Sequence, residues 1–194
     1  LLSAPPAAAT QEYILPTLFD VTGVASDDSL NIRADPNSSS EIIGMLPPDA
    51  TGVEVVEERD GWGRVNSSER SGWVSMRFLS YRTDVWEAGK LPADFRCLGT
   101  EPFWNLDIGH ADNWIMFQEI EQVAPAELRA ILDTGIFRDP TRAIIGQDMT
   151  ILATPELCSD GMSDRMYGLR ATVIEDGETP RMLNGCCMIQ PRDR

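Results

Sequence analysis

Positive charge is scarce in this chain: 16 lysines and arginines face 31 aspartates and glutamates, giving a net charge of −15. The deficit is even, with 6 basic and 14 acidic residues over 11–89 and 10 and 17 over 90–194. It therefore reads as a solubility feature rather than an interaction tail. Such a surface repels phosphate backbones and anionic headgroups, and no basic cluster relieves it, which excludes nucleic acid as a partner. Apolar runs long enough to span a bilayer are missing, so membrane insertion is not expected. Histidine is almost absent. His110 is the only one, and Ile108-Gly-His-Ala-Asp-Asn113 has the composition of a solvated turn rather than of a general base. No Cys-x-x-Cys pair offers the usual zinc spacing, Ser163 in Gly-Met-Ser-Asp is not in a nucleophile elbow, and no internal repeat joins the halves. No cofactor and no catalytic constellation is expected.

What is present describes an exported β protein. The 194 residues, 42% apolar, suffice for one large or two small domains with modest cores. Residues 1–10 run from leucines into Ala7-Ala-Ala9, the pattern of a secretory leader remnant with a small-residue cleavage site. Tyr13 to Thr22 reads as a first strand, with Pro16 implying an edge position or a bend. Leu30-Asn-Ile-Arg33, Glu41 to Leu46 and Val53-Glu-Val-Val56 follow as short strands between Asp, Pro, Ser and Gly clusters, the pattern of a small all-β barrel. Trp62 to Asn66 and Ser71 to Val74 form a hairpin across Ser67-Ser-Glu-Arg70.

The order of Leu-Asn-Ile-Arg, Ile-Gly-x-Leu, Gly61-Trp62, Gly72-Trp73-Val74 and a closing aromatic resembles the bacterial SH3 domain over residues 20–81. That family consists mostly of binding modules, several of them for cell-wall peptide, with ligands in a groove beside the long first loop. The resemblance implies that this loop is Gly23 to Ser29, carrying Asp27 and Asp28, with Arg33, Trp62 and Trp73 as candidate walls. The competing reading of both tryptophans is packing in a small barrel.

Residues 83–93 mix charges with Gly89 and Pro92 and read as a linker between units at 11–82 and 94–194. Strand signals return from Phe95, with Trp104, Leu106 and Ile108 alternating against Asn105 and Asp107, and predict a second, mostly β domain, barrel or sandwich. Ala126 to Leu132 reads equally as a short helix or a strand. Phe95-x-Cys97-x-Gly-Thr-Glu-Pro-Phe-Trp104, Cys158-x-Asp-Gly-Met-Ser-Asp164 with Tyr167, and Gly185-Cys-Cys187 resemble a family of bacterial periplasmic proteins and lipoproteins for which no activity is established.

Four cysteines in an exported chain predict two disulfides. A Cys186–Cys187 bond would close a strained eight-membered ring, and neighbours on a strand point to opposite faces, so each should pair with either Cys97 or Cys158. Either assignment gathers the three motifs in one neighbourhood. The alternatives weighed are a thiolate metal site and a carboxylate pair of Glu101 with Asp160 or Asp164; Asp160-Gly161 also reads as a plain turn. The expected function is non-catalytic binding by a monomer in the periplasm or outside the cell, the ligand being peptidoglycan peptide or an envelope protein. The alternative is an enzyme or enzyme inhibitor using Glu101, Trp104, Asp160, Asp164 and Tyr167.

Overall fold

The computed structural model describes residues 13–109, 113–119 and 122–192. Residues 1–10, the expected leader remnant, and His110 lie outside the described residues. The first unit has eight strands: β1 (Thr17–Val21), β2 (Leu30–Arg33), β3 (Ile42–Leu46), β4 (Val53–Val55), β5 (Glu57–Arg59), β6 (Trp62–Ser67), β7 (Arg70–Ser75) and β8 (Leu79–Tyr81). They form a three-stranded sheet, β4-β1-β8, and a five-stranded sheet, β3-β2-β7-β6-β5. Strand alternation builds the core between them: Leu30 and Ile32 of β2 turn inward with Phe19, Val21, Val53, Val55, Val65 and Val74. The β6–β7 hairpin has the register its sequence predicts, Asn66 opposite Ser71, with the turn at Ser68 in a left-handed conformation (φ 53°). Pro16 marks a bend and not an edge, because β1 begins after it and is paired on both sides.

The second unit is a closed barrel of β9 (Arg96–Thr100), β10 (Phe103–Gly109), β11 (Trp114–Glu119), β12 (Gln122–Leu132), β13 (Arg142–Gly146), β14 (Met149–Cys158), β15 (Tyr167–Glu175) and β16 (Arg181–Met188). Each strand is antiparallel to the next, and β16 returns to β9 to close the cylinder. The ambiguous stretch from Ala126 to Leu132 is strand, its Leu128 turned into the core while Glu127 and Arg129 face out. Eight strands enclose a space that side chains can fill, and here Trp104, Leu106, Ile115, Phe117, Ile144, Ile151, Leu169 and Val173 fill it. An apolar interior with charged residues outside is the reverse of a lipid-embedded barrel. Among the described residues no helix is long and apolar enough to cross a membrane.

The stretch between the units is itself packed. Val85, Trp86, Leu91 and Phe95 join the barrel core, together with Leu18 of β1, and the Trp86 indole donates to the Pro16 carbonyl at 2.7 Å. Buried Arg142 fastens this stretch down: its guanidinium donates to the carbonyls of Glu87, Lys90, Asp139 and Thr141 and lies 5.1 Å from the Trp86 ring. Delocalised charge shared among four carbonyls and an aromatic face is the form in which a cation tolerates burial.

Two further contacts lock the units together. The Asn66 amide makes a two-bond bridge to the backbone of Met166, at 2.8 and 3.0 Å, beside Asp164, whose backbone bonds Glu69 and Ser71. At the other contact, Glu54 of β4 accepts the backbone N–H groups of Ile189 (3.1 Å) and Gln190 (2.9 Å) through Oε2, while its Oε1 is buried without a partner among the described residues. Burial pushes the Glu54 carboxyl from its ordinary 4.5 up to about 7, against the opposing pull of those two N–H groups and of Arg96.

A pH dependence follows. With a folded-state value raised to about 7 above an ordinary 4.5, Glu54 favours the folded protein fully below about pH 4.5, and that contribution falls as pH rises through 7. The loss is on the order of 3 kcal/mol for a fully buried carboxyl. Glu54→Gln keeps an acceptor for both N–H groups and carries no charge. The difference in denaturation free energy between wild type and Glu54→Gln should therefore shift toward the variant between pH 5 and 8. A difference that stays constant across that range would show that Glu54 titrates as an ordinary carboxylate.

Candidate functional site

Two concave surfaces contain residues expected from the sequence to bind. The first is a groove of about 530 Å³ in the SH3-like unit, bounded by Gly23, Val24, Ala25 and Asp28 of the first loop, by Asn31 and Arg33 of β2, and by Trp62, Ser75, Arg77 and Phe78. The loop between β1 and β2 starts against the 3₁₀ turn Met76–Phe78, the Thr22 N–H donating to the Phe78 carbonyl at 2.8 Å, and this contact brings Arg77 and Phe78 to the same groove as the loop. Trp62 is half-buried and forms one wall. Arg33 is steadied by donating from Nη1 to the Ser40 carbonyl at 2.7 Å, and Asp28 accepts the Ser29 N–H at 2.7 Å. The Arg77 guanidinium lies 4.4 Å from the Phe78 ring centroid.

Trp73 and Asp27 do not line this groove. Trp73 is 5% exposed, with the guanidinium groups of Arg59 and Arg64 at 5.0 and 5.6 Å from its ring, so its role is packing. Arg77 and Phe78 are lining residues that the sequence reading missed. Their signal lay in the closing aromatic segment Ser75-Met-Arg-Phe-Leu79, which served only to identify the fold.

The second surface is a depression of about 690 Å³ on the barrel wall, where Gly99 to Glu101, Phe103, Cys158 to Met162, Gly185 and Cys186 come together. The three sequence motifs are therefore neighbours, and the disulfides are what join them. Cys97 pairs with Cys187 and Cys158 with Cys186. Cys97 and Cys187 are opposite one another on β9 and β16 and belong to the interior cluster, whereas Cys158 and Cys186 pack with Tyr167 and Met188 in a separate one. Successive residues of a strand facing opposite ways account for the split. No cysteine is left as a free thiol for a metal.

Within this surface the candidate chemical groups are engaged. Asp160 Oδ1 accepts the N–H groups of Met162 and Ser163, both at 2.9 Å, and Oδ2 accepts the hydroxyls of Ser163 (2.8 Å) and Tyr167 (3.1 Å). Burial raises the Asp160 carboxyl, but these bonds outweigh it and hold the group below the usual carboxylate range. An anion saturated by four donors is a loop organiser, and Ser163 is committed to it. Tyr167 is buried, and burial beside Asp160 pushes its phenol up. Glu101 is exposed on the same depression, while Asp164 is exposed and serves the contact between units through its backbone. Trp104 is 1% exposed in the barrel core, stacked on Phe117 at 5.9 Å.

The glycines of the motifs are explained by that indole. A Cβ on Gly99, directly across from Trp104, would lie 2.1 Å from Nε1, and one on Gly185 would lie 2.6 Å from the indole and 2.0 Å from the Leu98 carbonyl oxygen. Only glycine leaves room for the ring against both strands.

Residues 28–80 match the bacterial SH3 domain family, a span that includes the whole groove apart from the start of its first loop. Neither a curated protein nor a solved structure matches the chain.

Gly185→Ala should destabilise the barrel by about 3 kcal/mol, because the atom it meets is backbone and cannot yield. Asn184→Ala, at the exposed neighbour, should stay within about 0.5 kcal/mol of wild type. Guanidinium denaturation with the disulfides intact distinguishes the two; equal stabilities would refute the role assigned to Gly185.

Proposed function

We propose that this protein is an exported, non-catalytic binding protein of the bacterial cell envelope, and that its SH3-like unit takes cell-wall peptide in the groove between the Gly23 to Ser29 loop and Phe78. The observation that carries the reading is the groove itself, open beside the first loop of a domain that matches the bacterial SH3 family. Two disulfides support an oxidising compartment outside the cytoplasm. The likeness of the second unit's motifs to periplasmic proteins and lipoproteins is consistent with the same location. An aromatic wall facing polar and charged groups suits an extended peptide, whose side chains need apolar contact while its backbone needs hydrogen bonds.

In this reading the barrel is a support. Its interior is occupied by its own side chains, its candidate acid is saturated within its loop, and its disulfides hold the wall rigid.

Trp62 supplies the test. Purified peptidoglycan should sediment the full chain at low salt, and Trp62→Ala should weaken retention about tenfold, the usual cost of removing a buried aromatic contact from an interface. Trp73→Ala is unsuitable as a probe because it removes packing. Failure of the wild-type protein to co-sediment would defeat the proposal.

A further inference from the structure

The distribution of charge around the groove is at odds with the rest of its domain. From Tyr13 to Tyr81 the chain carries five arginines and eleven carboxylates. Two of those arginines, Arg33 and Arg77, line the groove, against a single carboxylate, Asp28. Arg59 and Arg64 are both paired with Glu57, whereas among the described residues Arg33, Arg70 and Arg77 take part in no ion pair, and of these three Arg33 and Arg77 line the groove. Asp28 Oδ1 is occupied by the Ser29 N–H.

We infer that the groove recognises a free carboxylate of its peptide ligand, with Arg77 as the principal anchor and Arg33 as its partner. The inference rests on the groove being the cell-wall site proposed above. Arg77 is exposed, and its guanidinium lies against the Phe78 ring. Stacking satisfies the flat face of a guanidinium and leaves its edge N–H groups for a planar, two-oxygen acceptor. Arg33 is held by one bond from Nη1 to Ser40, and its other donors are not committed to any carboxylate among the described residues. Trp62, Phe78 and Val24 then offer apolar contact for the remainder of the peptide.

The charge of the whole chain favours a carboxylate over a phosphate polymer. A net charge of −15 repels a polyphosphate chain along its whole length, and that repulsion grows with every added phosphate. An isolated carboxylate pairs with Arg77 at contact distance, within the roughly 8 Å beyond which physiological salt screens the surrounding acidic surface. Local attraction therefore favours a ligand whose carboxylates are spaced apart over one with a charge on every repeat of a dense phosphate chain.

The experiment compares two preparations of peptidoglycan, both stripped of phosphate polymers: one with native carboxylates, one with its carboxylates converted to methylamides. The full-length protein should bind the amidated form about tenfold more weakly, the effect of one charge-assisted contact. Arg77→Gln should bind the native form about tenfold more weakly and should lose all discrimination between the two. Arg181→Gln, which removes the same unit of charge from the barrel, should behave as wild type. Equal, tight binding to both forms would overturn the carboxylate inference and leave the groove as the cell-wall site. Binding to neither would overturn both, and binding only before removal of the phosphate polymers would assign the anion to phosphate.

Discussion

Closing an eight-stranded meander requires its first and last strands to meet, and in this chain that seam is where the second unit is decided. β9 and β16 are separated by the rest of the barrel in sequence, so their pairing carries the largest loss of chain entropy of any ladder in the unit. The Cys97–Cys187 bond lies directly on that ladder and spans 90 residues. A covalent link across so long a loop withdraws freedom from the unfolded chain, an effect of roughly 2 to 4 kcal/mol. Gly99 and Gly185 narrow the seam enough for Trp104 to lie beneath it, and Cys158–Cys186 holds the neighbouring loop against its outer side.

The seam continues into the contact between the units. β16 ends at Met188, and the next two backbone N–H groups are those received by Glu54. Between β14 and β15, the loop organised by Asp160 leads through Asp164 and Met166 to the β6–β7 hairpin. The linking stretch supplies the third anchor through Trp86 and Arg142. Hydrogen bonds at these sites run largely from side chain to backbone, which fixes position without demanding a large apolar interface.

Local features, the SH3-like unit and the meeting of the three cysteine motifs were legible from the amino-acid order, whereas the closure of the second unit and the contacts between units were not. Turn chemistry and alternation located the β6–β7 hairpin, and the opposite facing of adjacent residues separated the partners of Cys186 and Cys187. Barrel closure could not be separated from a sandwich, because both have the same alternation and differ only in which distant edges meet. Ala126 to Leu132 was ambiguous since a short run containing alanine, leucine and glutamate satisfies either period; pairing with β11 and β13 decides it. Glu54 was invisible for a different reason. In Val53-Glu-Val-Val56 alternation places it on the side away from its own core, which is correct, but that side faces the second unit rather than water. Tryptophans were the least informative residues, as Trp62 lines a groove while Trp73, Trp86 and Trp104 are packing, and nothing local distinguishes them.

The anchored linking stretch has a mechanical consequence. A tether of a dozen loose residues would let the groove wander about the barrel, and any pull on its occupant would first take up slack. Here Val85, Trp86 and Leu91 are seated in the barrel core and Arg142 grips the chain beside them. Displacement of the groove relative to the barrel is therefore resisted by several buried contacts and hydrogen bonds at once, so that the linking stretch has the character of a strut and not of a rope.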